Sequence, residues 1–74
     1  MNVPQETAVR NRIKEFRVVA GDLTQQQLAD LVGVTRQTIV AIERRNYAPS
    51  LELAFRIAAA LKRPLAEVFQ YDGQ

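Results

Sequence analysis

An all-α fold of five short helices is what this sequence predicts. Three observations carry the prediction: apolar residues recur at three- and four-residue spacing in five stretches, Thr24, Thr35, Ser50 and Pro64 stand as helix starters, and Gly21, Gly33 and Pro49 punctuate the connections. Between Thr24 and Pro49 the pattern is densest, and that stretch bears most directly on function.

Residues 1–8 are polar, contain Pro4 and show no period, so they are read as a flexible N-terminal arm, with Val3 touching the body. Residues 9–74 then form a single domain. Val9, Ile13, Phe16 and Ala20 share one helical face among Arg10, Arg12, Lys14, Glu15 and Arg17, which predicts a first helix over about residues 8–20. Gly21 and Asp22 end it, and Leu23 acts as a hydrophobic staple to the second helix. That helix opens with a capping box, Thr24 with Gln27, and buries Leu28, Ala29 and Val32. Gly33 supplies the left-handed turn, Thr35 caps the third helix, and Ile39 and Ile42 point inward with Val34 leading in. Ala29 is small where two helices must cross closely, and the pair reads as a helix-turn-helix. Pro49 disfavours helix at Ala48, Ser50 caps a fourth helix through about Leu61, and Leu51, Ala54, Ile57, Ala58 and Leu61 form its buried stripe. Pro64 opens a fifth helix carrying Leu65, Val68 and Phe69.

Composition narrows the function classes. At 74 residues the chain lies near the lower size at which one core stabilises itself, so dimerisation would help. Without Cys or His it has no disulfide framework and no N/S zinc site, and no metal or cofactor is expected. No apolar run suits a membrane span and the start MNVPQETAV lacks the features of a signal peptide, so a cytoplasmic protein is expected. No phosphate-cradling glycine loop or carboxylate pair is present, which argues against an enzyme. The net charge of +2 only weakly favours a polyanionic partner. Its distribution is more telling: no acid lies between Leu31 and Ile42, whereas Arg36, Arg44 and Arg45 gather around the third helix.

Gln25, Leu28, Ala29, Val32, Gly33, Val34, Ile39, Ile42 and Glu43 together resemble the helix-turn-helix of the Xre/Cro family of phage and bacterial repressors. Tyr47-Ala48-Pro49-Ser50-Leu51-Glu52-Leu53-Ala54 and Pro64-Leu65-Ala66-Glu67-Val68-Phe69 extend the likeness to roughly residues 10–70. The resemblance implies a short, single-domain member with a five-helix lambda-repressor-like fold whose partner is double-stranded DNA. On the third helix Arg36, Val40 and Arg44 lie on one outward strip by i, i+4 spacing, with Gln37 and Ala41 beside it, suited to the major groove. Arg36 can pair with guanine O6 and N7, Gln37 with adenine N6 and N7, and Val40 or Ala41 can pack on a thymine methyl. Gln25, Thr35, Thr38, Arg44, Arg45 and Asn46 are expected on the DNA backbone, Gln25 in the way similar repressors use that glutamine.

Two departures from the family pattern stand out. Arg44-Arg45 replace the common Asn-Gly, so the third helix is expected to run on to Asn46 rather than accept a left-handed Arg45, and one extra residue lies near Asp22. The resemblance also implies that Glu43 pairs with Arg17; two unpaired surface charges are the alternative.

A single helix-turn-helix reads few base pairs, which predicts a homodimer on a pseudo-palindromic operator with half-sites about 10 base pairs apart. Leu65, Val68, Phe69 and Tyr71 are the expected dimer interface, with coverage of the chain's own core as the alternative. In similar short repressors the ending forms a small strand against the N-terminal segment, and Val68–Tyr71 can do so here. A transcriptional repressor with no small-molecule ligand is the leading expectation. An antitoxin or a restriction-operon controller shares the same chemistry. A helical protein-interaction module is the reading from a different class, and Arg36-Gln37-Thr38 argue against it.

Overall fold

Each helix of this chain starts and stops where a particular side chain or backbone angle makes it do so, and those junctions set the geometry of the exposed face. The structure is a computed structural model and describes residues 6–73; Val3 and most of the N-terminal arm lie outside the described residues. In chain order the elements are β1 (Val9–Asn11), α1 (Ile13–Val19), α2 (Gln25–Val32), α3 (Arg36–Glu43), α4 (Leu51–Leu61), α5 (Leu65–Val68) and β2 (Phe69–Tyr71).

The first helix does not begin near residue 8. Val9–Asn11 instead pairs antiparallel with Phe69–Tyr71, Val9 opposite Tyr71 and Asn11 opposite Phe69. The Asp72 N–H donates to the Ala8 carbonyl and the Arg12 N–H to that of Val68, each at 2.8 Å, so the ribbon is closed at both ends. Asn11 Oδ1 accepts from the Ile13 N–H at 3.2 Å, which satisfies a donor at the start of α1. Arg12 then pairs with Glu15 in the first turn, and that hydrogen bond holds the exposed Glu15 carboxyl below the usual carboxylate range.

The core gathers fully buried side chains from all five helices: Ile13, Leu28, Ile39, Ile42, Ile57 and Val68. Phe16 closes one side, its ring flanked by the guanidiniums of Arg12 and Arg63, each 4.8 Å from its centroid. On α4 the stripe differs by one residue from expectation. Ser50 caps the Leu53 N–H, and Leu53, Ala54, Ile57, Ala58 and Leu61 turn inward. Leu51, at the outer edge of the first turn, is 67% exposed. Ala20 is likewise exposed, because α1 ends at Val19.

Gly33 caps α2 at φ +78°, where a Cβ would meet only Arg56 Nη1 at 3.9 Å. Only the backbone angle therefore penalises a side chain there. Gly33→Ala is expected to lose about 1 kcal/mol, or about 4–8 °C in a thermal melt of a domain this size. A loss several times larger would show that packing, not backbone conformation, holds this turn.

Candidate nucleic-acid interface

Two caps place the helix-turn-helix. Thr24 Oγ1 accepts from the Gln27 N–H at 3.0 Å while Gln27 Oε1 accepts from the Thr24 N–H at 2.9 Å, so α2 begins at Gln25. Thr35 Oγ1 accepts from the Thr38 N–H at 3.3 Å and lies 3.1 Å from the Thr38 hydroxyl. The two threonines expected on the DNA backbone are thus engaged with each other at the start of α3. Among the described residues, no acceptor meets the N–H groups of Gln25 and Gln26, which with the helix dipole suit an anion.

With Ile39 and Ile42 buried, α3 turns the opposite side outward: Arg36 and Gln37 are exposed, and Val40 and Ala41 are half-buried. The structure therefore brings the expected base-reading residues onto one face. Arg36 is held there by a polar chain. Its Nη2 donates to Gln25 Oε1 at 3.1 Å, and Gln25 Nε2 donates to Glu43 Oε1 at 3.1 Å. Arg17 Nε and Nη2 donate to the two Glu43 oxygens at 2.8 and 3.1 Å, while its Nη1 donates to the Leu23 carbonyl at 2.9 Å. The Arg17–Glu43 pair implied by the resemblance is present, with side chains only 12% and 11% exposed. The extra residue near Asp22 does not disturb it, because Gly21 and Asp22 both turn left-handed, at φ +99° and +59°. Half-buried Gln25 is thus as much a brace for Arg36 as a backbone contact.

The corner after α3 overturns one expectation. The helix ends at Glu43, and Arg45 takes φ +63° instead of the helix running on to Asn46. The Asn46 N–H donates to the Ala41 carbonyl at 2.9 Å and the Arg45 N–H to that of Ile42 at 3.0 Å, a Schellman closure. A left-handed arginine costs about 1 kcal/mol, and tertiary bonds offset it. Arg45 Nη2 donates to the Thr7 carbonyl at 2.9 Å, the Thr7 N–H donates to the Arg45 carbonyl at 2.9 Å, and Asp72 Oδ2 lies 3.6 Å from the guanidinium. Arg45 therefore ties the end of α3 to the chain's own two ends. Arg44 and Asn46 remain exposed beside α3.

Asn11 escaped sequence reasoning because it falls inside the apolar spacing of Val9 and Ile13. Its Nδ2 donates to the Ile42 carbonyl at 2.8 Å, so one side chain caps the end of α3 and the start of α1. An Asn two residues before a buried apolar residue is the local signal for the second of these roles.

The expected dimer residues divide. Val68 is fully buried within its own chain as part of the core cluster, so it offers no surface to an interface. Leu65 and Phe69 pack partly buried on the core, and Tyr71 is 69% exposed. With Val9 and Leu51 they line an apolar groove of about 550 Å³.

Two short capped helices crossing at a small residue, the second with a polar outer strip, define a helix-turn-helix protein. The helix-turn-helix family model matches residues 13–68, and the chain belongs to that family. It is 52% identical over 65 residues to an HTH-type transcriptional regulator of Methanothermobacter thermautotrophicus, covering 86% of this chain and 93% of that one. It is 44% identical over 66 residues to the HTH-type transcriptional regulator YgzD of Bacillus subtilis, covering 89% and 98%. Among solved structures, the restriction-modification controller protein C.AhdI from Aeromonas hydrophila superposes with a TM-score of 0.69 at 34% identity, over 76% of this chain and 80% of that one. A protein of known structure from Bacteroides fragilis shares the fold with a TM-score of 0.74 at 24% identity, over 84% of this chain and 98% of that one.

Proposed function

We propose that this chain is a cytoplasmic transcriptional repressor that binds a pseudo-palindromic operator in double-stranded DNA as a homodimer, without a small-molecule ligand. The observation that carries the proposal is the outward strip of Arg36, Gln37, Val40 and Ala41 on a helix fixed at its inner face and both ends. Arg36 and Gln37 read purine edges in the major groove, and Val40 and Ala41 supply apolar contact. Arg44, Asn46 and the first turn of α2 hold the phosphates. The groove lined by Leu51, Leu65, Phe69 and Tyr71 is the surface offered to a second copy. Similarity to a restriction-modification controller favours a second reading, control of such an operon, with the same DNA chemistry.

Selection from a random duplex pool tests the proposal. The wild type is expected to enrich a two-fold symmetric site with half-sites about 10 base pairs apart. Arg36→Ala should relax one guanine position and Gln37→Ala one adenine position, each by about 1–3 kcal/mol. Arg44→Ala should instead weaken all sequences alike and reduce the salt slope by about 1. Enrichment of no symmetric site would sink the operator reading, and unchanged base preferences in both variants would sink the residue assignment.

A further inference from the structure

A second face of the bundle leaves apolar surface uncovered. Val19 at the end of α1 and Leu31 near the end of α2 are 60% and 64% exposed. With Ala60 and Leu61 they line a groove of about 400 Å³ whose end carries Lys62 and Arg63. None of these residues lies on α3, and Leu31 is six positions beyond Gln25, about 9 Å along the helix axis. The groove is therefore separate from the outward strip on α3.

Its charge identifies the occupant. No acidic side chain lines the groove. Lys62 caps α4 at φ +58°, a left-handed position where glycine is favoured, and among the described residues it has no ion-pair partner. Arg63 is held beside it, 4.8 Å from the Phe16 ring centroid and 3.7 Å from Glu67. A cation without an ion-pair partner among the described residues, kept at a strained backbone position and lining an exposed apolar groove, suits a negatively charged partner. We infer that the groove docks an acidic amphipathic helix of another protein, its apolar side chains at i, i+3 and i+4 against Val19, Leu31 and Ala60 and its carboxylates on Lys62 and Arg63. Such a contact reaches the chain without touching the strip on α3, so regulation through it is independent of base readout.

A displayed library of random peptides, about 16 residues long to allow four helical turns, is panned against the full chain, and the winners are titrated into isotopically labelled protein. Net-negative peptides with helical apolar spacing are expected, shifting the resonances of Val19, Leu31, Ala60 and Lys62. Leu31→Asp should weaken them at least tenfold. Lys62→Gly should weaken them several-fold while the melting temperature holds or rises, because glycine suits the cap and only the cation is removed. The inference is overturned if nothing is enriched, if basic or neutral peptides win, if the shifts map to the Leu51–Tyr71 groove, or if Lys62→Gly leaves affinity unchanged.

Discussion

Glu43→Ala is expected to lower stability by about 3 kcal/mol, near the lower end for breaking a largely buried ion pair. The loss arises from what remains: Arg17, only 12% exposed, keeps the Leu23 carbonyl as its one hydrogen-bond partner, and Gln25 Nε2 loses its acceptor. For a domain of this size each kcal/mol corresponds to about 4–8 °C of melting temperature, so a drop of roughly 12–24 °C follows. Replacing both partners, Arg17→Met with Glu43→Leu, should return stability to within about 1 kcal/mol of wild type, because no charge is then left buried without a partner. The double variant still lacks the acceptor that holds Gln25, and through it Arg36. Its melting temperature should therefore recover while discrimination at the Arg36 position remains reduced. Urea melts of the wild type, Arg17→Met alone, Glu43→Leu alone and the double variant form the cycle that measures the coupling. A Glu43→Ala loss below about 1 kcal/mol would mean that the pair behaves as a solvated surface bridge.

Ile39→Ala should remove about 3–4 kcal/mol. Ile39 is fully buried and belongs to the inner face of α3, which is only eight residues long and also bears the outward strip proposed to read bases. A chain of this length has a total stability of about 4–11 kcal/mol, so the variant should keep only about 0–8 kcal/mol and lose a large share of its stability. Ile39→Val, which removes one methylene, should cost only about 1 kcal/mol. Amide spectra and urea melts check both. Because DNA binds the folded state alone, an excess of the selected duplex should raise the midpoint of Ile39→Ala by mass action. A cost under about 1 kcal/mol for Ile39→Ala would show that α3 is anchored through its ends rather than through its inner face.

The parts of the interface that were readable from sequence are those decided within a few residues. The Thr24–Gln27 capping box, the Thr35 and Ser50 caps, the glycine turn at Gly33 and the inward spacing of Leu28, Ala29, Val32, Ile39 and Ile42 all appear where local rules place them. Arg36 and Gln37 follow as exposed residues by subtraction. The features that sequence reasoning misplaced depend on partners far along the chain. Val9 and Ile13 have helical spacing, yet Val9–Asn11 is a strand because Phe69–Tyr71 meets it, and Arg10 and Asp72, 62 positions apart, pair beside it. Leu51 and Leu53 are both compatible with an apolar stripe on α4, and only the direction of the neighbouring helices turns Leu53 inward.

Arg45 and Val68 show the same division at the site. Locally, arginine disfavours φ +63°, which predicts a longer helix; the bonds to Thr7 and Asp72 reverse that preference. Val68 at the end of a short apolar helix suits either an interface or a core, and its full burial in the core cluster settles the choice. The sequence by itself determined the helices, their caps, the turn between α2 and α3 and the identity of the exposed strip, because each depends on hydrogen bonds and spacing within one or two turns. The tertiary structure alone decided the register of the terminal ribbon, the Asn11 bridge, the commitment of Arg45 and the extension of the expected Arg17–Glu43 pair through Gln25 to Arg36. Those rest on contacts between distant segments, whose energies no local preference contains.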